Sequence, residues 1–453
     1  MTFETLRGRY PVFRYDAYHI ERTADEVVLT FDFSVPGLCS FHPQTRIPTD
    51  HLHLVNDFDS DTANAIVFAL GLTETVSYWK ATCSPVIEVA CGSLTAAQKT
   101  WWKTLWFNGL GEFFYRNGIE TDADSFVDVR SGETPSVPRD AFQNAGLCLV
   151  PVGGGKDSAV TLSLLHARKE KIRTFTVNDQ KARTDTVTAA GLSADCMVRT
   201  YRTIDPELLR LNREGFLNGH TPFSAIVAFL SLYCAYLIGA AHIILSNESS
   251  ANESTVAGTS VNHQYSKSYA FERDFTDYVQ NVIGLPVRYF SLLRPFNEMQ
   301  IAKMFARLPQ YHAVFKSCNA GSKQNIWCRN CAKCLFVYII LSPFLSEEQL
   351  TAIFGENLLD KASLAPDFDA LCGLSDEKPF ECIGTVREVC AALRMTAARY
   401  NAAGKPLPLL LRQRMASLPD ASDDPLDDFN AENNVPSAFA DCVKEMLRCV
   451  RAD

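Results

Sequence analysis

The chain has 453 residues, about three times the usual length of one domain, which predicts two or three domains. Hydrophobic residues make up 47% of it and charged residues only 21%, a composition that excludes wholesale disorder. Asp and Glu outnumber Lys and Arg by 52 to 43, giving a formal net charge of −9. This balance disfavours nucleic acid as a partner, because a phosphate backbone requires clustered positive charge.

The 15 cysteines are odd in number and scattered, which indicates reduced thiols rather than a disulfide framework. The first residues lack the charged-then-apolar pattern of a secretion signal, so we expect a cytoplasmic protein. Residues 221–245 contain no Lys, Arg, Asp or Glu and are long enough to cross a bilayer. Gly239 interrupts this stretch and a polar run follows it, so we predict a buried helix and a buried strand instead of a membrane span.

The chain divides into three regions. Residues 1–135 contain short alternating segments that predict an amino-terminal α+β domain, and residues 122–140 have the Pro, Gly and small polar residues of a linker. Within the first region, the aromatic residues of 95–117 recur at helical spacing; a stripe facing the core is the simpler interpretation, and a sugar or base platform is the alternative. Residues 346–453 form a helical, Pro-punctuated carboxy-terminal region.

Strands and helices alternate in the middle region, residues 140–345. The strand-like segments are 147–152, 172–177, 196–199, 242–246 and 287–291. The helical segments include 159–168, 222–238 and 271–282. The alternation predicts an α/β domain with a doubly wound parallel sheet.

A glycine-rich loop lies between the first strand and the first helix of this α/β domain. Its residues are Gly153, Gly154, Gly155, Lys156, Asp157 and Ser158. Glycines allow close approach to an anion, and a helix start offers unpaired amides, so the loop predicts a phosphate site. The spacing matches neither Walker A nor the dinucleotide fingerprint. The structural alternative is a simple glycine turn before a helix.

The loop resembles the SGGKDS motif of the PP-loop ATP pyrophosphatase superfamily, with Gly153 in place of the usual Ser. The resemblance implies a PP-loop, HUP-like fold that cleaves ATP between its α and β phosphates and adenylates a substrate. On this resemblance Lys156 and Ser158 bind pyrophosphate, and Asp157 helps to hold Mg²⁺. The absence of a hydroxyl at Gly153 removes one phosphate contact.

A cysteine cluster with the pattern C-x9-C-x2-C-x2-C follows the α/β segments. Its members are Cys318, Cys328, Cys331 and Cys334. Two overlapping CxxC turns and a fourth thiol can surround one ion, which predicts a structural Zn²⁺ site. Ordinary reduced cysteines, and an iron–sulfur or sulfur-transfer role, are the alternatives. A similar cluster follows the ATP domain of the PP-loop enzymes that convert carboxy-deazaguanine to the nitrile.

Polar residues follow the fourth predicted strand, at 246–253 and 261–268. In open α/β sheets ligands bind beyond the carboxyl ends of the strands, so this segment predicts the rim of an active site; a solvated loop is the alternative.

Longer motifs point to one family. Between residues 68 and 345 the segments SYWKATCSP, PVGGGKDSAVTLSLL, SNESSANE, VNHQYSKSYAFERDF and WCRNCAKCLFVYIIL resemble the ATP-dependent UDP-N-acetylmuramoyl-L-alanyl-L-glutamate epimerases of peptidoglycan synthesis. The resemblance implies inversion of the terminal L-glutamyl residue to D-glutamyl, with ATP consumed to AMP and pyrophosphate. It assigns no residue to proton transfer.

The candidate acid and base groups all come from the polar segment. They are His263, Tyr265, Lys267, Glu248 and Glu253. Lys267 is equally a candidate for binding phosphate. Two amides are candidates for orienting the substrate's carboxylates, Asn247 and Asn252.

In the first region, three residues are candidates for recognising the UDP-muramoyl part by stacking and charge: Tyr78, Trp79 and Lys80. The same residues would equally fill a core. The expected partner is the small-molecule substrate, without nucleic acid or a membrane. Two other functions stay open: a different PP-loop carboxylate-adenylating enzyme, such as an amidotransferase or a nucleobase or tRNA modifier, and a non-catalytic ATP-sensing module.

Overall fold

The computed structural model describes residues 1–134, 138, 140–252, 265–375, 378, 379, 381, 383–419 and 424–452, and only the backbone of Ala251 and Asn252. Its strands are β1 (Val12–Arg22), β2 (Glu26–Val35), β3 (Cys39–Phe41), β4 (Gln44–Pro48), β5 (Val86–Ser93), β6 (Asp128–Gly132), β7 (Leu147–Pro151), β8 (Ile172–Val177), β9 (Met197–Arg202), β10 (Ala240–Leu245) and β11 (Arg288–Ser291). The helices are α1 (Phe3–Arg9), α2 (Asp61–Trp79), α3 (Ala96–Gly109), α4 (Gly111–Arg116), α5 (Lys156–Ala167), α6 (Lys181–Ala189), α7 (Pro206–Arg213), α8 (Phe223–Ile238), α9 (Tyr269–Tyr278), α10 (Glu298–Ala306), α11 (Ala332–Leu341), α12 (Glu347–Phe354), α13 (Ala365–Leu371), α14 (Val386–Ala402), α15 (Leu409–Arg414) and α16 (Ala440–Arg451).

The described strands form one large mixed sheet in the order β11-β10-β7-β8-β9-β4-β2-β1-β5-β6, with β3 paired to β2. The five strands from β11 to β9 are parallel. β4 then pairs antiparallel with β9, through Thr45 opposite Arg202, and joins the amino-terminal strands to them. The predicted α/β class is therefore confirmed. The predicted boundary at residues 135–140 does not divide the sheet, which both regions share; assignment to the PP-loop fold stays a prediction.

The amino-terminal part of the sheet is covered by α2. Along β2, buried positions alternate with less buried ones, as expected for a strand with one face on a core. Helix α2 packs closely against that face because Gly71 has no side chain: a Cβ there would lie 2.0 Å from Tyr15 Oη and 2.9 Å from a Phe31 ring carbon. The glycine thus sets the distance between helix and sheet.

The uncharged stretch 221–245 folds into α8 and β10, as predicted. Gly239 ends α8 in the left-handed region with φ 68°, a conformation that glycine adopts without strain. No helix in the described ranges is long and apolar enough to cross a membrane.

The carboxy-terminal region is helical, as predicted, and packs onto the parallel strands. Phe439, just before α16, places its ring 5.1 Å from that of His242 in β10 and 5.2 Å from that of Phe290 in β11. Arg168, at the end of α5, donates a hydrogen bond to the Ala438 carbonyl at 2.9 Å. This region is therefore one layer of the same core.

The parallel part of the sheet extends from β7 toward both edges as the chain proceeds. From β7 the chain proceeds to β8 and β9 on one side, and then returns to β10 and β11 on the other. The loops after β7 and β10 consequently diverge at the carboxyl edge of the sheet, where open α/β sheets form ligand crevices.

Candidate active site

A cavity of about 400 Å³ opens at this edge, beyond β7, β8 and β10. Its walls are the glycine-rich loop, the start of α6, the polar segment after β10, the start of α10 and the segment that carries the cysteine cluster. The acidic residues that line it are Asp157, Glu248 and Glu298. The basic residues that line it are Arg183, Lys267, Lys316 and Lys333.

The glycine-rich loop joins β7 to α5 and forms one wall. Gly154 has φ +85°, and a Cβ there would lie 3.0 Å from the Ala182 Cβ and 3.1 Å from its backbone carbon, so this position requires glycine. Gly155 is the N-cap of α5 and provides no side-chain acceptor for the first-turn amides. Ser158 Oγ donates to the Gly155 carbonyl at 3.1 Å. The helix start therefore offers amides to an anion in the cavity.

Lys156, the first residue of α5, is buried and is not among the described residues that line the cavity. Its Nζ donates to Asp157 Oδ1 at 2.5 Å and to Glu298 Oε2, at the first residue of α10. Burial by itself would lower the pKa of Lys156. The negative charges and hydrogen bonds of Asp157 and Glu298 have the larger effect, so the pKa of Lys156 lies above its usual value. Burial raises the pKa of Glu298 to about 8, while Lys156 opposes the shift. No local pattern predicts this ion pair, because its partners are 142 residues apart.

The cysteine segment is attached directly to the glycine-rich loop. The Lys316 amide donates to the Gly154 carbonyl at 2.9 Å. Ser317, the next residue, lies beside Gly155: a Cβ added at Gly155 would be 3.5 Å from the Cβ of Ser317. Lys316, Ser317 and Cys318 consequently line the same cavity as the loop.

The four predicted cysteine ligands converge: the sulfurs of Cys318, Cys328, Cys331 and Cys334 all lie within 4.8 Å of one another. Tetrahedral zinc with bonds of about 2.3 Å places sulfurs about 3.8 Å apart, and the Cys328 and Cys334 sulfurs are separated by 3.7 Å. Hydrogen bonds from the Cys334 side chain and backbone lower the pKa of Cys331 to about 5. The set therefore fits a thiolate site for one ion.

The polar segment contributes two of its five acid–base candidates to the cavity, Glu248 and Lys267, together with Asn247. Glu248 is only 6% exposed. Tyr265 lies instead in a second, smaller cavity beside Trp101 of α3, where burial raises its pKa. Glu253, His263 and the Asn252 side chain fall outside the described residues, so their predicted roles stay predictions.

Residues 78–80, proposed for UDP-muramoyl recognition, are buried at the end of α2. Tyr78 Oη accepts a bond from the Asp205 amide at 3.2 Å, and Trp79 Nε1 donates to the Ser84 carbonyl at 2.8 Å. Lys80 Nζ donates to the Gly219 carbonyl at 2.6 Å, and burial lowers its pKa to about 8. None of the three is among the described residues that line the cavity. Their burial favours the core-filling alternative.

Two family models match most of the chain: residues 4–292 match the MurL N-terminal domain, and residues 314–426 match the MurL C-terminal domain. The chain belongs to the MurL family. This confirms the family predicted from the motifs.

Relatives of this MurL family member carry one name, UDP-N-acetyl-alpha-D-muramoyl-L-alanyl-L-glutamate epimerase. The relative from Xanthomonas oryzae pv. oryzae is 38% identical over 339 residues, which cover 73% of this chain and 74% of the relative. The one from Salinispora tropica is 34% identical over 407 residues, covering 87% and 86%. The one from a Micromonospora species is 33% identical over 408 residues, covering 88% and 89%. As a member of this family, the chain is an epimerase and hence an isomerase.

The cavity of this MurL chain combines residues from both matched regions. The glycine-rich loop, Glu248 and Lys267 belong to the first, whereas Lys316 and Lys333 belong to the second. Glu298 lies between the two matched ranges, in the stretch that connects them. Sequence reasoning missed Arg183, Glu298, Lys316 and Lys333; of these only Lys333 had a local signal, because it lies between the last two cysteines of the cluster.

Proposed function

We propose that this protein inverts the terminal L-glutamate of UDP-N-acetylmuramoyl-L-alanyl-L-glutamate to D-glutamate and uses ATP to activate a glutamate carboxylate. One observation carries the proposal: the glycine-rich loop lines the same cavity as Glu248 and Lys267. A phosphate-binding loop beside acid and base groups suits an enzyme that activates a carboxylate and then moves a neighbouring proton. The names of the relatives supply the substrate.

Activation is required because the α-proton of a free carboxylate is very weakly acidic. In the proposed first step, a carboxylate oxygen attacks the α-phosphorus of ATP and pyrophosphate leaves, which produces an acyl adenylate. The uncharged acyl carbonyl can then accept the electron pair left by the α-proton, as an oxyanion that the site stabilises. A base removes the proton, an acid returns one to the opposite face, and water cleaves the acyl adenylate to release AMP.

On the phosphate side, the α5 amides and Ser158 would bind the phosphates, with Arg183, Lys316 and Lys333 at the walls. Lys156 lies outside this lining and would bind a phosphate on leaving Asp157 and Glu298. The carboxylates of Asp157 and Glu298 meet at Lys156, and such oxygen ligands suit Mg²⁺. When bound there, Mg²⁺ would neutralise phosphate charge. The superfamily motif remains the basis of this assignment.

On the proton-transfer side, Glu248 and Lys267 are the described candidates that reach the cavity. The carboxylate of Glu248 would act as the base on one face of the α-carbon. The ammonium group of Lys267 would either return a proton on the opposite face or bind a carboxylate of the substrate. His263 and Glu253 remain candidates from the adjoining sequence.

The four cysteines are proposed to hold Zn²⁺, whose contribution would be to cross-link the chain. The cross-link would join the segment that follows Lys316 to the start of α11, where Lys333 lies. Both segments reach the cavity wall, so the metal would set the shape of the site without touching the reaction.

The test is to incubate the protein with ATP, Mg²⁺ and UDP-N-acetylmuramoyl-L-alanyl-L-glutamate, and to measure pyrophosphate, AMP and the chirality of the glutamate. We expect inversion with AMP and pyrophosphate in wild type, and loss of both in Lys156→Met. Lys171→Met, an exposed position outside the cavity, is the control and keeps both. Pyrophosphate release without inversion would indicate another adenylating enzyme, and nucleotide binding without turnover would indicate a sensor; either outcome rejects the proposal.

A further inference from the structure

Arg294 is a fully buried arginine in the loop between β11 and α10. Its Nη1 donates to the Glu248 carbonyl at 2.7 Å, and its Nη2 donates to the Lys267 carbonyl at 2.5 Å. One guanidinium group therefore connects the backbones of the two acid–base candidates that reach the cavity.

The charge of Arg294 is matched by Glu272 of α9, which is 1% exposed. Arg294 Nη2 donates to Glu272 Oε2 at 3.1 Å, and Nε approaches the same oxygen at 3.4 Å. Burial raises the pKa of Glu272, and the charge of Arg294 opposes this shift. A buried guanidinium is tolerated only with such a partner and with its donors occupied, so the group is held in one geometry.

Two further residues hold the same polar segment: Ser291, the last residue of β11, and Phe296 of the loop. Ser291 Oγ donates to the Asn247 carbonyl at 2.6 Å, and the Ser249 amide donates to the Phe296 carbonyl at 2.9 Å. Two residues after Phe296, Glu298 reaches Lys156 of the glycine-rich loop. The loop therefore connects the proton-transfer side of the cavity to its phosphate side.

We infer that Arg294 is a positioning residue for epimerisation: it fixes Glu248 and Lys267 relative to each other across the cavity. This inference rests on the proposed function. Glu248 follows the end of β10, whereas Lys267 ends the short 3-10 turn Tyr265–Lys267, and Arg294 donates to the backbone carbonyls of both. Proton removal on one face and return on the other require both groups at the α-carbon within a fraction of an ångström.

The main test replaces Arg294 by Lys, which keeps the charge but lacks the planar fork that reaches two carbonyls and a carboxylate. We expect the entry of solvent deuterium at the α-carbon to fall by about 100-fold, as for a misplacement of about 1 Å, with ADP binding unchanged. The matched control is Arg202→Lys, because the Arg202 side chain is only 9% exposed, donates to a Glu74 carboxylate oxygen at 2.6 Å and lies outside the cavity lining. The control keeps the wild-type exchange rate per folded molecule.

Chemical rescue separates positioning from a general structural role. In Arg294→Ala, millimolar guanidinium is expected to restore part of the deuterium exchange, whereas it would not restore a protein that is simply less stable. Glu272→Gln provides a second variant if the Arg294 variants do not fold. The substitution keeps the size of the side chain but removes the charge that holds the Arg294 guanidinium. It is expected to lower deuterium exchange while ADP still binds.

The outcomes are distinct. Wild-type exchange retained in both Arg294→Lys and Glu272→Gln overturns the inference and leaves the proposed function standing. Equal losses of exchange and ADP binding in the Arg294 variants, without rescue, also overturn it, because they indicate general damage. If the wild-type protein exchanges no α-proton with ATP and substrate present, the proposed function itself fails and the inference with it.

Discussion

Lys156 of the glycine-rich loop forms a buried ion pair with Glu298 at the start of α10. Asp157 shares the same ammonium group at 2.5 Å. Above about pH 8, where Glu298 is ionised, a phosphate that is to bind Lys156 must therefore compete with two carboxylates. The ion pair joins the phosphate side of the cavity to the start of α10, which directly follows the loop that contains Arg294.

The first prediction concerns pH. Burial raises the pKa of Glu298 to about 8. As pH falls through that value Glu298 becomes neutral and releases Lys156, so ADP binding should strengthen below about pH 8 and weaken above it, by at most about tenfold per pH unit for one coupled proton. Calorimetric titration with ADP between pH 7 and 9 measures this dependence, in buffer without Mg²⁺ so that the proposed role of Glu298 as a Mg²⁺ ligand does not enter.

Glu298→Gln removes the competing charge and should flatten that pH dependence. At pH 9 the variant should bind ADP up to about tenfold more tightly than wild type, which corresponds to about 1.4 kcal/mol. Glu120→Gln, at an exposed position, is the control and should follow the wild-type curve. An unchanged pH dependence in Glu298→Gln would show that Glu298 does not control Lys156.

Local patterns account for what the sequence predicted well. Strands β7, β8 and β10 are short apolar runs, and the residues after them had to lie at one edge of a parallel sheet. The cysteines are close in sequence, so their convergence required only two tight turns and one longer connection. The same reasoning put Glu248 and Lys267 at this edge, where they line the cavity, while their roles stay predictions.

Contacts between distant residues account for what it missed. The hydrogen bonds of Arg294 to Glu248 and Lys267 span 46 and 27 residues, and no periodic pattern in the sequence predicts them. The junction of β4 with β9, which merges two predicted domains into one sheet, is of the same kind. Tyr78 and Trp79 show a further limit of prediction from sequence, because a pair of aromatic residues has the same sequence pattern in a core and at a binding surface.

The second prediction concerns two neighbouring glycines. Gly154→Ala places a Cβ in the left-handed region against Ala182, so it should weaken ADP binding by more than tenfold. Gly153 has nothing within 4 Å of a Cβ and stands where the resembling motif has Ser. Gly153→Ser should therefore be tolerated and should tighten ADP binding by a hydrogen bond of about 1 kcal/mol, roughly fivefold. Weaker binding in Gly153→Ser would argue against phosphate at this end of the loop.

The third prediction concerns Lys333, whose charge reaches Glu298 from the start of α11. Lys333→Met should raise the KM for ATP by roughly tenfold or more, because a charge-assisted hydrogen bond to phosphate is worth about 1.5–3 kcal/mol. Lys323→Met, exposed on the same segment, is the control and should leave the KM unchanged. A fall in kcat with an unchanged KM would instead assign Lys333 to the reaction step.

The fourth prediction concerns the cysteine cluster. We expect one zinc ion per chain by elemental analysis, and its loss in Cys334→Ser, because three thiolates alone hold zinc less tightly than four. Loss of a structural metal should lower the free energy of unfolding by about 4 kcal/mol or more. Since Lys316 bonds to Gly154, the same variant should also weaken ADP binding, measured on protein that is still folded. Cys196→Ser, outside the cluster, is the control; a Cys334→Ser protein with wild-type metal content, or a wild-type protein without zinc, would contradict the prediction.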